Sequence, residues 1–246
     1  MIRDIKKVDA EYDKDKYARL LEFYGKGHHT FEEINREYMP FEHRVVSVGC
    51  REYFVSTIDY EKIERDILIG SLAGCNVDTV VELGCGYGSN FNILNNVYRD
   101  KTWIGGECSA NAIKLGNLLF SGYDNISIVP FNWYDDEWSI FEGLGRVVVL
   151  TKFTIEQLPE VKKVMRNFLK YRDRIESVVH IEPVFELNDG SPLGRARRAY
   201  TIENDYNTDL LSSLYSIGAS ITRMEYDVVG YNPLNPTSVI CWDFQE

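Results

Sequence analysis

In VVELGCGYGSN, residues 80–90, an apolar run and the acid Glu82 lead into glycines at 84, 86 and 88. Glycines at a strand-to-helix turn permit backbone angles closed to other residues and let a ligand lie against the main chain, while the helix that follows offers unpaired N–H groups. Folds that bind dinucleotides use G-x-G-x-x-G there, with an acid about 20 residues later for a ribose hydroxyl. Here Ser89 holds the last position, so the spacing is G-x-G-x-G. Glu107 closes the run TWIGGE, where a carboxylate can accept both hydroxyls of a ribose. Capture of a nucleoside-bearing ligand is the chemistry this pattern suggests; the plain alternative is a turn that serves tight helix–sheet packing.

The elements that must position these residues alternate from Val77 onward. VDTVVEL, TWIGGE, NISIVPF, RVVVL and IESVVHIEP read as strands; SNFNILNNVY, SANAIKLGNLLF and EQLPEVKKVMRNFLKY read as helices between them, the last despite Pro159 near its start. Strands rich in β-branched residues alternating with helices predict βαβ units and a doubly wound parallel sheet covered on both faces. After a helix at YNTDLLSSLYSIG the alternation stops. SITRMEYDVVG and TSVICWDFQ flank the turn-rich YNPLNP with no helix between, which predicts an antiparallel pair. Residues 1 to about 75 read as mostly helical, in YDKDKYARLLEFYGKG and DYEKIERDILIGSLAG, with HRVVSVGCREYFVS open between strand and helix.

The 246 residues carry 38 acids against 27 Lys and Arg, a net charge of -11. That surface disfavours broad contact with nucleic acid or anionic membrane. The charged, helix-like start MIRDIKKVDAEYDKDKYARL lacks an apolar core of signal-peptide length, and no apolar run reaches membrane-spanning length, so the cytoplasm is expected. Five widely spaced cysteines without a C-x-x-C pair suggest reduced thiols, neither a disulfide framework nor a cysteine zinc site.

VVELGCGYGS resembles the first motif of the class I S-adenosylmethionine-dependent methyltransferases, acid-x-Gly-x-Gly-x-Gly after the first strand, and the resemblance covers roughly residues 58–246. It implies an α/β fold: a Rossmann-like, doubly wound, mostly parallel seven-stranded sheet with an antiparallel last strand and a helical N-terminal extension. The domains would be residues 1–57, an extension able to act as a lid hinged at Gly25 and Gly27, and residues 58–246, the methyltransferase domain. Carried over by position, the resemblance assigns Glu82, Gly84, Gly86 and Gly88 to the methionine portion of S-adenosylmethionine and Glu107, with Cys108 beside it, to the ribose. Asn132 would lie by the adenine with Trp133 as a stacking neighbour, although Asn stands where the family usually has Asp, and Asp135 is close by. Thr151, which follows the fourth strand, completes the cofactor set. The tail, YNTDLLSSL followed by VVGYNPLNPTSVICW, is similar to bacterial methyltransferases found with cell-surface polysaccharide and capsule assembly.

The family's acceptor pocket lies beyond the carboxyl ends of strands four and five, which singles out TKFTIEQLPE and HIEPVFE. His180 is the candidate general base, since its titration range straddles neutrality, with a hydrogen-bonded core histidine as the other reading. Glu182 either orients a histidine, binds a sugar hydroxyl or is simply solvated. Glu156 and Gln157 are candidates for catalysis and acceptor binding, or else the polar first turn of a helix. His28 and His29, in the glycine-bounded loop GKGHHTFEE, are acceptor candidates if the segment is a lid, or else part of a surface linker between two helices. Arg195, Arg197 and Arg198 in SPLGRARRAY form a loop that could grip phosphate, or one that merely compensates nearby acids. No metal site is expected, because adjacent histidines point apart. The expected activity is O-methylation of a small polar acceptor, such as a sugar, a nucleotide-linked sugar or a phosphorylated precursor. The alternatives are an NAD-dependent oxidoreductase, which Ser89 disfavours, and a non-catalytic protein that binds S-adenosylmethionine.

Overall fold

The computed structural model describes residues 10–244; the first nine residues of the charged start, and Gln245 of the last expected strand with Glu246, lie outside the described residues. Nine strands occur among the described residues: β1 (His43–Val48), β2 (Arg51–Ser56), β3 (Thr79–Leu83), β4 (Thr102–Glu107), β5 (Ile126–Pro130), β6 (Val147–Lys152), β7 (Ile175–Glu182), β8 (Ala219–Val229) and β9 (Thr237–Phe244). Seven of them form one sheet in the order β5-β4-β3-β6-β7-β9-β8. The first five run parallel, and β9 is antiparallel to both β7 and β8, slotted between them. The predicted mostly parallel seven-stranded sheet, with its antiparallel last strand, is present.

Alternation along the buried strands sorts their side chains onto two cores. Val81, Leu83, Val147 and Val149 join Trp138, Phe168 and Trp242 on one face. Val80, Val148 and Leu150 join Leu68, Phe91 and Trp103 on the other. Helices Ser89–Leu94, Ala110–Leu119 and Lys162–Lys170 follow β3, β4 and β6 as expected. The last starts later than predicted: Leu158, before Pro159, is extended at φ -99 and ψ 106, because the proline ring disfavours a helical residue ahead of it. The chain therefore makes a short turn at Ile155–Gln157 first.

One expectation is corrected and one open stretch is resolved. SPLGRARRAY is not a loop: Ser191 caps Gly194 N–H, proline takes the first turn, and a helix runs over Pro192–Glu203. The ambiguous stretch is an antiparallel hairpin of β1 and β2, closed by Gly49 and Cys50, both at positive φ. Ser47 exchanges backbone hydrogen bonds with Gly230, which fastens the hairpin to the end of β8. The N-terminal piece is thus helical through Tyr38 and a hairpin thereafter. Its helical part comprises a π-helical stretch, Ala10–Tyr17, and helices Ala18–Gly25 and Phe31–Tyr38, the last opened by a Thr30–Glu33 capping box. Among the described residues no helix is long and apolar enough to cross a membrane.

Candidate functional site

The carboxyl ends of β3 and β4 lie side by side, with Glu82 paired to Gly105 and Leu83 to Gly106. Beyond them Gly84, Gly86 and Gly88 adopt φ of +81°, +57° and +80°, a region open to glycine and strained for other residues. Each is also closely approached. A Cβ at Gly84 would lie 2.1 Å from Thr154 Oγ1, one at Gly86 would lie 2.7 Å from the Tyr17 hydroxyl, and one at Gly88 would meet Phe120. Gly88 therefore serves helix–sheet packing, while the other two border the turn after β6 and the N-terminal segment.

Glu107 reaches back to this loop. Its Oε2 accepts the Gly86 N–H at 2.9 Å, and its Oε1 accepts those of Cys108 (2.9 Å) and Ser109 (2.8 Å). Oε2 keeps a second lone-pair position, which suits a sugar hydroxyl. Glu82 is buried beneath the loop. Asn90 donates to its Oε1 at 2.6 Å while its Oε2 has no partner among the described residues, and burial pushes its pKa up to about 8 against the pull of Asn90 and Lys152. A buried carboxylate oxygen without a donor fits a cationic group such as the ammonium of methionine. The glycine turn, the spare position on Glu107 and the orphaned oxygen of Glu82 together match the cofactor that the sequence implies.

The N-terminal segment closes over this crevice. Asp13 accepts hydrogen bonds from Ser109 Oγ (2.6 Å) and Asn111 N–H (2.9 Å), at the start of helix Ala110–Leu119. Tyr17 and Tyr38 both pack edge-on against Tyr87, whose hydroxyl donates to Asn35 at 2.7 Å. Burial, with the charge of Glu107 nearby, raises the Tyr17 phenol well above its ordinary range, so it stays a neutral hydroxyl beside Gly86. Nothing in the sequence marked Asp13 or Tyr17 as partners of the loop. His28 and His29 lie elsewhere on this segment, His28 stacked on Phe23 at 3.9 Å and His29 packed against Tyr24 at 4.5 Å. Those contacts are made within the segment itself.

Several site expectations are corrected by burial. His180 is fully buried: its Nδ1 shares a hydrogen bond with Thr151 Oγ1 (2.8 Å), and its Nε2 accepts from Trp242 Nε1 (2.9 Å). Desolvation lowers its pKa to about 3, so it is a neutral core residue with both nitrogens engaged and not a general base. Thr151 is fully buried with it, and its hydroxyl is engaged by the His180 ring. Glu182 accepts backbone N–H groups from Thr154, Ile155 and Glu156 at 3.0–3.4 Å, which pins the turn after β6. Burial, with Glu156 beside it, pushes Glu182 up to about 8. Trp133 offers no open face for stacking: it is packed edge-on against Phe131 and Trp138, and its N–H bonds Thr154 Oγ1 at 3.3 Å. Asn132 closes a turn onto Tyr134 N–H and Asp135.

The three arginines do not converge. Arg197 is buried, paired with Asp227 at 2.9 Å and bonded to Ser47, Tyr226 and Pro233 O. Arg198 donates to Asn188 O, and exposed Arg195 to Gly190 O. At i+2 on the helix Arg197 points away from the other two, and Arg195 and Arg198, which share a face, are both spent on backbone carbonyls of the preceding loop. No phosphate grip exists there.

Glu156 borders a pocket, and Gln157 stands behind it, outside the lining. Glu156 Oε1 accepts from Gln157 Nε2 (2.8 Å) and Oε2 from Asn235 Nδ2 (2.7 Å), and both residues are buried. Glu156 borders a shallow, narrow recess whose polar wall includes Asn188, Tyr206, Asn207 and Asn235. The recess lies past the carboxyl end of β7, where α/β sheets place ligands. Among the described residues no group of three or more His, Cys, Asp or Glu is placed to hold a metal ion.

No protein-family model matches the chain, and no curated protein matches it by sequence. Solved structures do match. Geranyl diphosphate C-methyltransferase from Streptomyces coelicolor A3(2), solved with Mg2+, geranyl diphosphate and S-adenosyl-L-homocysteine, aligns at TM-score 0.56 and 11% identity over 77% of this chain and 81% of that one. The fold is a methyltransferase fold. An O-methyltransferase family protein from Burkholderia thailandensis aligns at TM-score 0.55 and 12% identity over 76% of this chain and 57% of its own. Mitomycin 7-O-methyltransferase aligns at TM-score 0.53 and 14% identity over 96% of this chain and 62% of its own.

Proposed function

We propose that this protein is an S-adenosylmethionine-dependent methyltransferase that methylates an oxygen of a small, hydroxyl-bearing acceptor. One observation carries this: the carboxylate ending β4 meets the glycine turn ending β3, Glu107 to Gly86 at 2.9 Å, so that a ribose held by the acid lies beside the bare main chain. Structural likeness to methyltransferases that act on small molecules supports the same reading.

S-adenosylmethionine, when bound, supplies an electrophilic methyl group. The chain's part is to bind, align and exclude water, and alignment of that kind is worth about 7–11 kcal/mol. Glu107 holds the ribose and Glu82 the ammonium. Tyr17 and its neighbours form a lid whose closure keeps water from the crevice. Glu156, fixed by Gln157 and Asn235 at the recess, accepts the proton or hydrogen bond of the acceptor hydroxyl. That task passes to Glu156 because His180 is sealed in the core. The amide and hydroxyl groups of the recess wall favour an unphosphorylated sugar or similar polyol, received as the recess widens on binding, whereas a phosphorylated or nucleotide-linked acceptor has lost the arginines that suggested it. The capsule assignment rests on the tail sequence alone.

The test is transfer of label from methyl-labelled S-adenosylmethionine to a panel of sugars, sugar acids and polyols. Turnover with loss in Glu156→Gln supports the proposal. Cofactor binding with no turnover on any acceptor marks a non-catalytic binding protein.

A further inference from the structure

Two arginines are buried among the described residues, and only one has a counter-charge. Arg197 is paired with Asp227 and surrounded by acceptors. Arg44, on β1, is 8% exposed, and its single hydrogen-bonding contact is a weak one from Nη1 to Met39 Sδ at 3.9 Å. Among the described residues its Nε and Nη2 have no partner. The guanidinium carbon lies 3.8 Å from the Tyr231 ring centroid and 5.2 Å from that of Tyr60. Aromatic rings stabilise the charge through the face of the guanidinium but leave the N–H groups at its edge unsatisfied. Nε–H and Nη2–H share one edge and point the same way, the two-pronged arrangement that receives a carboxylate. A buried charged donor without an acceptor is costly enough that such a fork calls for a ligand.

The neighbouring acids do not fill it. Glu64 is held by Lys152 at 3.0 Å and by the Tyr60 hydroxyl at 2.9 Å. Among the described residues Glu61, though close enough to feel Arg44, forms no ion pair with it. The same contacts place the fork beside the crevice. Lys152 ends β6 and bonds Asn90 at 3.4 Å, and Asn90 bonds Glu82 below the glycine turn. A ligand anchored by its ribose at β4 and extended across β3 heads toward β6 and this arginine. One unpaired positive charge with Glu61 and Glu64 close by suits a monoanionic carboxylate better than a dianionic phosphate.

We propose that Arg44 binds the carboxylate of a ligand in the crevice through its Nε–H and Nη2–H pair, with Tyr231 and Tyr60 holding the guanidinium plane. The inference rests on the methyltransferase reading for its two sources of carboxylate: the amino-acid end of the cofactor, or an acid group on the acceptor.

Full-length wild type, Arg44→Gln and Arg44→Lys are titrated with S-adenosylhomocysteine and with 5′-methylthioadenosine, which lacks the amino-acid end. A loss of about 10- to 100-fold for S-adenosylhomocysteine alone, in both variants, assigns the cofactor's carboxylate. In the second arm, acetate and then phosphate are added to wild type saturated with S-adenosylhomocysteine, and the ¹⁵N–¹H resonance of Arg44 Nε is followed. A saturable shift with acetate and none with phosphate, with nucleoside affinity unchanged in the variants, assigns the acceptor's carboxylate. This arm needs no variant to fold. Equal weakening of both nucleosides, or no change in either, with an acetate-insensitive resonance overturns the proposal and leaves Arg44 a packing residue. Wild type that binds neither nucleoside fails the methyltransferase reading instead, and the acetate response of the unliganded protein then decides the arginine separately.

Discussion

Asp13 accepts a hydrogen bond from Ser109 Oγ at 2.6 Å, across 96 positions of sequence, and so latches the N-terminal segment to the helix that follows Glu107. Tyr17 lies against Gly86 on the same segment, so if the segment is a lid, as proposed, this latch should govern its opening. Asp13→Ala removes the acceptor for both Ser109 and the Asn111 N–H, a capping interaction worth about 0.5–2 kcal/mol. The expected outcome is faster proteolytic cleavage near Tyr17 and faster cofactor association and dissociation in stopped flow, with global unfolding little changed. Unaltered rates would mean that the segment is no gate.

Arg197→Met should leave Asp227 buried without its charge partner and destabilise the fold by about 3–5 kcal/mol in chemical denaturation. Cofactor affinity, measured at a temperature where the variant is folded, should stay within about twofold of wild type. An arginine serving an anionic acceptor would show the reverse pattern.

His180 and Glu182 should shape the pH dependence of stability in opposite senses. His180, lowered to about 3 from 6.5, stays neutral when folded, so between those values the unfolded chain binds the extra proton and stability falls as pH falls. Glu182, raised to about 8 from 4.5, keeps its proton when folded, so stability falls as pH rises through that interval. Denaturation midpoints across pH 4–8.5 should steepen or flatten accordingly: His180→Gln removes the acid-side loss, and Glu182→Gln removes the alkaline-side loss. His180→Gln should also leave any acidic limb of the activity profile in place, because no proton of the reaction reaches the ring.

Glu156→Gln should reduce turnover by about 10²–10⁴-fold if the carboxylate takes the acceptor's proton, with cofactor affinity unchanged. Glu156→Asp, whose shorter arm cannot keep both Gln157 and Asn235, should recover part of that loss.

The sheet was legible because buried parallel strands must be uniformly apolar, and VVEL, RVVVL and IESVVHIE could hardly be anything else. The antiparallel end was legible from the short YNPLNP connection. What escaped depends on pairings remote in sequence. His180 is sealed because Trp242 arrives from β9, and Arg197 is neutralised by Asp227 from β8. Neither partner is visible from the local sequence. Two local signals were available and passed over: Ser191-Pro192 is a helix start, and Gly49 centres a hairpin turn between alternating apolar residues. Arg44 carried no motif at all; its meaning comes only from what fails to contact it.

The central claim is that the crevice between the glycine turn and Glu107 binds an adenosyl sulfonium compound. Calorimetric titration of S-adenosylhomocysteine, S-adenosylmethionine and NAD against wild type and Glu107→Ala tests it most directly. The expected result is saturable binding of the first two, no binding of NAD, and a loss of about 10-fold or more in the variant. Binding of NAD in preference to both, or equal affinity in wild type and Glu107→Ala, would contradict it.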